Sequence, residues 1–356
     1  MTLPNPATSS TSTPHARTAS RRSIPMRRCA GPPLPAVGCC CLPSIGSRPT
    51  PPSATPSRSG RPGGSGRLGR VGRVGQVGRV GQVGLGFMCP ICCGRKVVVR
   101  RFDSLVHVTR DGRWMNRRSD ASHARLMLEL DRAAIARACL VGLPGVVDNQ
   151  YVLECAVASN GRLVPIAGLD PSRCPHDDAV LEEVAAIAGD GFAGIKLHPR
   201  LNGYDPVGAP CLQAIRAASK HRLIVFLDTL FRQRPHATGH AADIVDRVAH
   251  ECAGAAIVLL HAGGAALLEL AEIVRLHPTL VLDLSFTLMH YEGSSLDTDI
   301  RWVMRRLDER IVIGSDMPEY TPADAFARAE HLAEGLPAGK WANIAYGNLA
   351  RLFPAD

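Results

Sequence analysis

From Val97 onward the chain repeats one pattern eight times: a short run of β-branched and leucine residues, then a longer stretch with apolar positions three and four apart. The runs are Val97–Val108, Ala138–Leu143, Leu163–Leu169, Ala193–His198, Leu223–Thr229, Ala256–Ala262, Leu280–Phe286 and Ile311–Asp316. A nearly continuous apolar run is what a parallel strand requires when both of its faces are covered. The segments between them, Ala265–Leu276 for example, have the spacing of a helix with one buried face. Right-handed strand-helix crossovers repeated eight times close into a (β/α)8 barrel of about 250 residues. The predicted fold class is therefore α/β, a TIM barrel over residues 97–356.

Residues 1–86 break the pattern. They are rich in Pro, Ser, Gly and Arg, lack aromatic residues, and include a Val-Gly-Arg/Gln near-repeat from Val71 to Gly84. Such a composition buries too little apolar surface to offset the entropy of ordering, which predicts a disordered, low-complexity tail. Its acid-free, Arg- and Ser-rich character is also that of an organellar transit segment, and Arg21-Arg22 suggests a twin-arginine signal. Prolines interrupt Ala30–Ile45, so no clean apolar signal core follows, and a start assigned upstream of Met88 is a third reading. No apolar run reaches the 18 residues of a membrane span, so no membrane partner is expected and the cytoplasm is the default compartment.

Charge changes the picture less than its total suggests. The net charge is +9, but residues 1–101 hold 16 of the 41 basic residues and no acidic ones. The remainder carries 25 basic against 32 acidic residues, a net of −7. A nucleic-acid enzyme would carry its basic stripe on the folded domain, so no nucleic-acid partner is expected for the barrel, and binding through the tail alone is a separate reading. Seven of the twelve cysteines lie in the first 96 residues, where Cys89-Pro-Ile-Cys92-Cys93 lacks the second pair a zinc knuckle needs. Cys139, Cys155, Cys174, Cys211 and Cys252 are scattered and odd in number, as expected of small buried apolar residues rather than a disulfide framework.

In a barrel of this type the chemistry sits at the carboxyl ends of the strands. Alternation places Asp103, Leu105 and His107 on one face of strand one, and Lys196 with His198 on one face of strand four. Strands five, six and eight end in Asp228, His261 and Asp316, and strand seven carries Asp283 and Ser285 on one face. Imidazoles and carboxylates converging on one mouth are suited to a divalent metal, zinc above all, and to activating water. Each residue also has a plain structural role open to it. His107 suits a core histidine bonded to a carbonyl, His198 suits shaping the turn at Pro199, and Lys196 suits partnering an inward aspartate. Gly263-Gly264 suits a tight turn as well as the approach of an anion. Asp316 is hardest to explain structurally, because a carboxylate ending an apolar run is costly to bury without a cation or proton.

The segments Phe102-Asp-Ser-Leu-Val-His107, Leu163 to Pro171, Gly194-Ile-Lys-Leu-His-Pro199, Leu259-Leu-His-Ala-Gly-Gly264, Ile313-Gly-Ser-Asp-Met-Pro318 and Tyr346 to Phe353 together resemble the amidohydrolase superfamily. The resemblance is to the branch of aminocarboxymuconate-semialdehyde decarboxylase and pyrone-dicarboxylate lactonase. It implies hydrolysis or nonoxidative decarboxylation of a small organic acid, lactone or cyclic amide. It also implies His261 and Asp316 as catalytic residues, and His107, Asp228 and Asp316 as weak metal ligands, while position at the strand ends puts His198, Lys196 and Ser285 near the substrate. Two positions depart from the branch. Leu105 replaces the first histidine of Asp-x-His-x-His, and Asp228 replaces the strand-five histidine. A weakly bound metal is expected, or none, since pyrone-dicarboxylate lactonases work without one. A degenerate barrel kept for binding or assembly is the competing expectation, and a homo-oligomer is left open.

Overall fold

The computed structural model describes residues 99–231 and 240–355. The predicted tail of residues 1–86 and its cysteines lie outside the described residues. Eight strands form one sheet in chain order: β1 Arg101–Val106, β2 Ile135–Val141, β3 Leu163–Leu169, β4 Gly194–Leu197, β5 Ile224–Asp228, β6 Ile257–Leu260, β7 Leu280–Asp283 and β8 Ile311–Val312. Each pairs in parallel with the next. Backbone bonds between β1 and the segment after β8 close the circle: Ser104 N–H to Ile313 O at 2.9 Å, Asp316 N–H to Leu105 O at 2.9 Å, and His107 N–H to Met317 O at 2.8 Å.

Alternation along the strands sorts the apolar side chains into two layers. Ile195, Leu197, Val225, Leu227, Ile257, Leu259, Leu280, Leu282, Ile311 and Ile313 pack outward beneath the helices. Phe102, Leu105, Cys139, Val141, Ile166, Phe226, Val258, Leu260 and Val312 fill the interior. The barrel is thus a packed core rather than a pore. Its amino end is sealed by the last turns of the chain. Leu349 and Phe353 join the interior cluster, and the Asn348 amide donates to Ile311 O at 2.6 Å where β8 begins. The opposite, carboxyl end is left for chemistry. There the loops enter helices through side-chain caps: Ser122, Asp148 and Thr321 each accept from a first-turn N–H.

Several strands are shorter than the apolar runs suggest, for a local reason. β6 stops at Leu260 because His261, Ala262 and Gly263 turn into positive φ (65°, 45° and 73°), and β7 stops at Asp283 before Phe286 (φ 58°) starts the turn Thr287–His290. In β1 a register shift between Asp103 and Val106 breaks the alternation. Asp103 is consequently not in line with Leu105 and His107. Its Oδ1 accepts the N–H groups of Leu105 (3.1 Å) and Ser315 (2.9 Å), which ties β1 to the end of β8. The five described cysteines are free, and Cys139, Cys155, Cys211 and Cys252 are buried. Among the described residues no helix is long and apolar enough to cross a membrane.

Candidate active site

The strand ends bring the expected polar residues to the barrel mouth in two contacting sets. The first comprises His107, Lys196 and Asp316. His107 Nδ1 lies 2.6 Å from the carbonyl of Val141, which fixes the proton on that nitrogen and turns the Nε2 lone pair toward the site. Lys196 Nζ donates to that Nε2 at 3.4 Å, and Asp316 Oδ1 stands 3.7 Å from it. Burial, reinforced by Lys196, holds His107 well below its ordinary pKa. Burial also lowers Lys196, although Asp316 and Asp228 oppose the shift. Asp316 moves the other way: burial pushes it up to about 6 despite the pull of His261 and Lys196. Its side chain keeps 13% exposure where Asp228 has none, so Asp316 is the carboxylate that solvent and ligand reach.

The second set is built on Asp228. His198 Nε2 and His261 Nε2 each lie 3.4 Å from its Oδ2, and the Arg200 guanidinium lies 3.2 Å from the same oxygen and 3.5 Å from Oδ1. Burial alone would raise this carboxyl, but His198, His261 and Arg200 outweigh it and hold Asp228 well below the usual carboxylate range. His198 Nδ1 accepts the Leu201 N–H at 3.3 Å, so its single proton is on the Nε2 that faces Asp228. Burial drops its pKa to about 3 despite that carboxylate, and His198 is neutral. His261 differs. Its Nδ1 meets Ser285 O at 3.2 Å and Ser285 Oγ at 3.1 Å, so both ring nitrogens face acceptors, and its pKa is raised against the effect of burial by Asp228 and Asp316.

A polar frame holds His261 from behind. Asp283 accepts from the hydroxyls of Ser104 and Ser285, from Ser285 N–H at 2.9 Å and from His261 N–H at 3.3 Å. Thr287 Oγ1 donates to His261 O at 2.5 Å, and Thr229 Oγ1 accepts Gly263 N–H at 2.8 Å. These bonds balance a backbone that non-glycine residues seldom adopt. Gly314 is required here: a Cβ would come within 2.5 Å of Ser104 Oγ and 2.9 Å of Ser285 Cβ. Ser285, expected next to substrate, is fully buried behind His261, and its hydroxyl donates to Asp283.

The donor set suits a divalent metal poorly. His107 and Asp228, two of the expected ligands, face different partners, and the ammonium of Lys196 takes the position a cation would need at His107 Nε2. Both Asp228 oxygens are engaged by cationic or N–H donors. Leu105 lies in the apolar interior cluster, and among the described residues no three His, Cys, Asp or Glu side chains converge as a metal-ligating group.

Three contributors escaped the sequence reading. Arg200 follows His198-Pro199 in a short helical turn, and a strand-end His-Pro-Arg could have been recognised as an anion-directed loop. Trp114, only 3% exposed within an otherwise polar loop, stacks on His107 (centroids 5.3 Å apart, planes 21°). Its indole N–H donates to Glu319 Oε1 at 2.6 Å, and Glu319 N–H in turn donates to Asp316 O at 2.9 Å. A lone tryptophan among Arg, Asn and Ser was the available signal.

The family model described as Amidohydrolase matches residues 112–355. No curated protein matches the chain. Solved structures share the fold at low identity. An uncharacterized TIM-barrel protein from Bordetella bronchiseptica is 16% identical with a TM-score of 0.61, covering 71% of this chain and 98% of its own. A 5-carboxyvanillate decarboxylase from Sphingomonas paucimobilis is 15% identical with a TM-score of 0.55, covering 73% and 100%. A probable 2-pyrone-4,6-dicarboxylic acid hydrolase from Acinetobacter baumannii, with citric acid bound, is 16% identical with a TM-score of 0.51, covering 71% and 99%.

Proposed function

The chain belongs to the amidohydrolase family, and from that premise we propose that it hydrolyses a small carboxylated lactone or cyclic amide with Asp316 as general base. The observation that carries this reading is Asp316 itself. It is a carboxylate raised to about 6, reachable from the mouth, and set among His107, Lys196 and His261. A base poised near neutral pH combines a large ionised fraction with useful proton affinity.

In the proposed step Asp316 takes a proton from water, and the hydroxide adds to the carbonyl carbon. Lys196 and the His261 imidazolium stabilise the oxyanion, which is where positioned charge contributes most. When the tetrahedral intermediate collapses, the C–O or C–N bond breaks and the proton on Asp316 passes to the leaving oxygen or nitrogen. Arg200, which turns Nε and one terminal nitrogen to Asp228, holds the substrate carboxylate with its remaining N–H groups, and His198 keeps its one proton on Asp228. Decarboxylation is the second reading. It is favoured by the same raised pKa, since protonated Asp316 can deliver its proton to the carbanion left after loss of carbon dioxide. Likeness to a hydrolase and to a decarboxylase of carboxylated substrates supports this pair of reactions.

The test is a panel of lactones, cyclic amides and carboxylated aromatics incubated with the full chain in 18O-labelled water. Hydrolysis places one label in the product carboxylate, and decarboxylation releases carbon dioxide. Absence of either across the panel, with ligands still bound, would make the protein a noncatalytic binding barrel.

A further inference from the structure

Lys196 carries a chemistry that the stabilisation of charge leaves unused. Of the 41 basic residues in the chain only four are lysines, Lys96, Lys196, Lys220 and Lys340, and the other 37 are arginines. Where a buried site needs only a fixed positive charge, arginine serves at least as well, since its guanidinium stays protonated and offers more donors. What lysine adds is a primary amine, a group able to give up a proton and attack carbon. Among the described lysines Lys196 alone is buried, and it stands in the barrel mouth.

Ile195 and Leu197 pack outward, so alternation along β4 turns Lys196 into the barrel, where it is 2% exposed. Its neighbours across the ladder, Gly168 and Phe226, offer no charge. Among the described residues no carboxylate lies at ion-pair distance from its Nζ. Lys340 has the ordinary structural arrangement instead, with Asp308 Oδ1 at 2.8 Å and Arg305 O at 2.6 Å from the ammonium. Lys196 Nζ donates to a lone pair, that of His107 Nε2 at 3.4 Å, and Asp316 Oδ1 lies 3.7 Å from the same nitrogen. A proton leaving Nζ thus has a path to Nε2 and on to the carboxylate. The place that suits a metal poorly holds an amine with a proton acceptor against it.

We propose that Lys196 is a nucleophile that forms an imine with the carbonyl carbon of a small oxo acid, whose carboxylate Arg200 receives. Nζ passes a proton through His107 to Asp316, its lone pair forms the N–C bond, and the C=O pair moves to oxygen. That oxygen takes up two of the three ammonium protons and leaves as water, so the ammonium and a ketone give an iminium and water without oxidant or reductant. In a 3-oxo acid the iminium then accepts the electron pair of the breaking C–C bond as carbon dioxide departs. Asp316, recharged from solvent, protonates the enamine carbon, and water hydrolyses the imine to restore the amine. The inference rests on the proposed function only for the anion site at Arg200.

The test is incubation of the full chain with pyruvate or acetone and cyanoborohydride, which reduces an imine to a stable secondary amine. Proteolysis and mass mapping then identify the modified lysine. With pyruvate the adduct should form on Lys196 about tenfold or more faster than on Lys220, which is exposed at the end of the helix Ala209–Lys220 and sets the rate of unassisted reaction. His107→Gln keeps a hydrogen-bond acceptor but cannot take up the proton, so it should slow the Lys196 adduct by about 10²-fold and leave Lys220 unchanged. Lys196→Arg, which retains the charge, should leave no adduct in the mouth. Relative to Lys220, acetone should label Lys196 more slowly than pyruvate does, and Arg200→Met should remove that difference. Labelling of Lys220 as fast as Lys196 in the folded chain would overturn the proposal. So would a Lys196 adduct that forms only in urea or is indifferent to His107→Gln. Pyruvate and acetone labelling Lys196 in one ratio to Lys220, unaffected by Arg200→Met, would keep the nucleophile and overturn the anion site of the proposed function. Hydrolysis in labelled water without any Lys196 adduct would do the reverse.

Discussion

His261 Nε2 stands 3.4 Å from Asp228 Oδ2 while its Nδ1 faces the oxygens of Ser285, so both ring nitrogens meet acceptors and the protonated form is favoured. That state decides its role. A protonated His261 cannot abstract a proton from water, so in the proposed reaction it would stabilise negative charge and leave Asp316 as the base. Polarising the substrate or water is the catalytic role that this geometry favours for His261.

Replacing Asp228 by Asn should reverse this. The pKa of His261 is raised, so its protonated form contributes stability that is complete below the ordinary value of 6.5 and lost as pH rises through the folded value. In Asp228→Asn the acceptor charge is gone, and the imidazole resonances of His261 should titrate below 6.5 by NMR. Removing one partner of a buried ion cluster should also cost about 3 kcal/mol in denaturant unfolding. An unchanged His261 titration would place its counter-charge elsewhere.

Metal dependence gives a separate expectation. Because Lys196 and Arg200 occupy the positions where a cation would need anionic neighbours, chelation of the purified protein should leave both melting temperature and turnover unchanged. Leu105→His should not create a zinc site by itself. It would bury an imidazole among Phe102, Cys139 and Val141 and should destabilise the fold by about 2 kcal/mol. Elemental analysis finding stoichiometric, chelator-resistant zinc in the unmodified chain would refute this account of the donor set.

The barrel was legible because each strand is covered on both faces, which forces an apolar run wherever a strand must lie. Strand ends were less so. The runs through Ala262 and Phe286 stay apolar although the backbone has already turned to positive φ, since burial continues past the last ladder bond. The bulge in β1 was not visible at all: residues 103 to 107 read as plain alternation, yet Asp103 serves the backbone of Leu105 and Ser315. At the site, the residues ending strands were found, whereas Arg200, Trp114 and Glu319 were missed because they lie on loops with no period. The facing direction of Ser285 does not reveal that Asp283 accepts its hydroxyl.

Gly314 offers a stability test of the frame behind His261. In Gly314→Ala the new Cβ meets Ser104 Oγ at 2.5 Å and Asp283 Oδ2 at 3.1 Å, so the Ser104, Asp283 and Ser285 network must shift. Overpacking of this kind should lower stability by roughly 1–3 kcal/mol. Turnover should fall further than stability explains, because the network positions His261. A melting temperature equal to that of the unmodified chain would mean that the interior yields more readily than the close approach implies.

Asp316→Asn separates function from folding most sharply. Asp316 titrates at about 6 rather than 3.8, so the folded state binds a proton more tightly than the unfolded chain does between those values. Stability should therefore fall as pH rises through that window, and at pH 7 the ionised carboxylate is a burden on the fold. The amide keeps the shape without the charge, so Asp316→Asn should gain on the order of 1–3 kcal/mol at pH 7. Its turnover should nevertheless drop by roughly 10²–10⁴-fold, as expected for loss of a general base. The pH profile of the unmodified enzyme then separates the two reactions. If Asp316 is the base in hydrolysis, the rate should climb as pH passes about 6 and level off above it, whereas a proton donor in decarboxylation would give a rate that declines over the same range. A rate indifferent to pH across that range, together with full activity in Asp316→Asn, would move the chemistry to another part of the mouth.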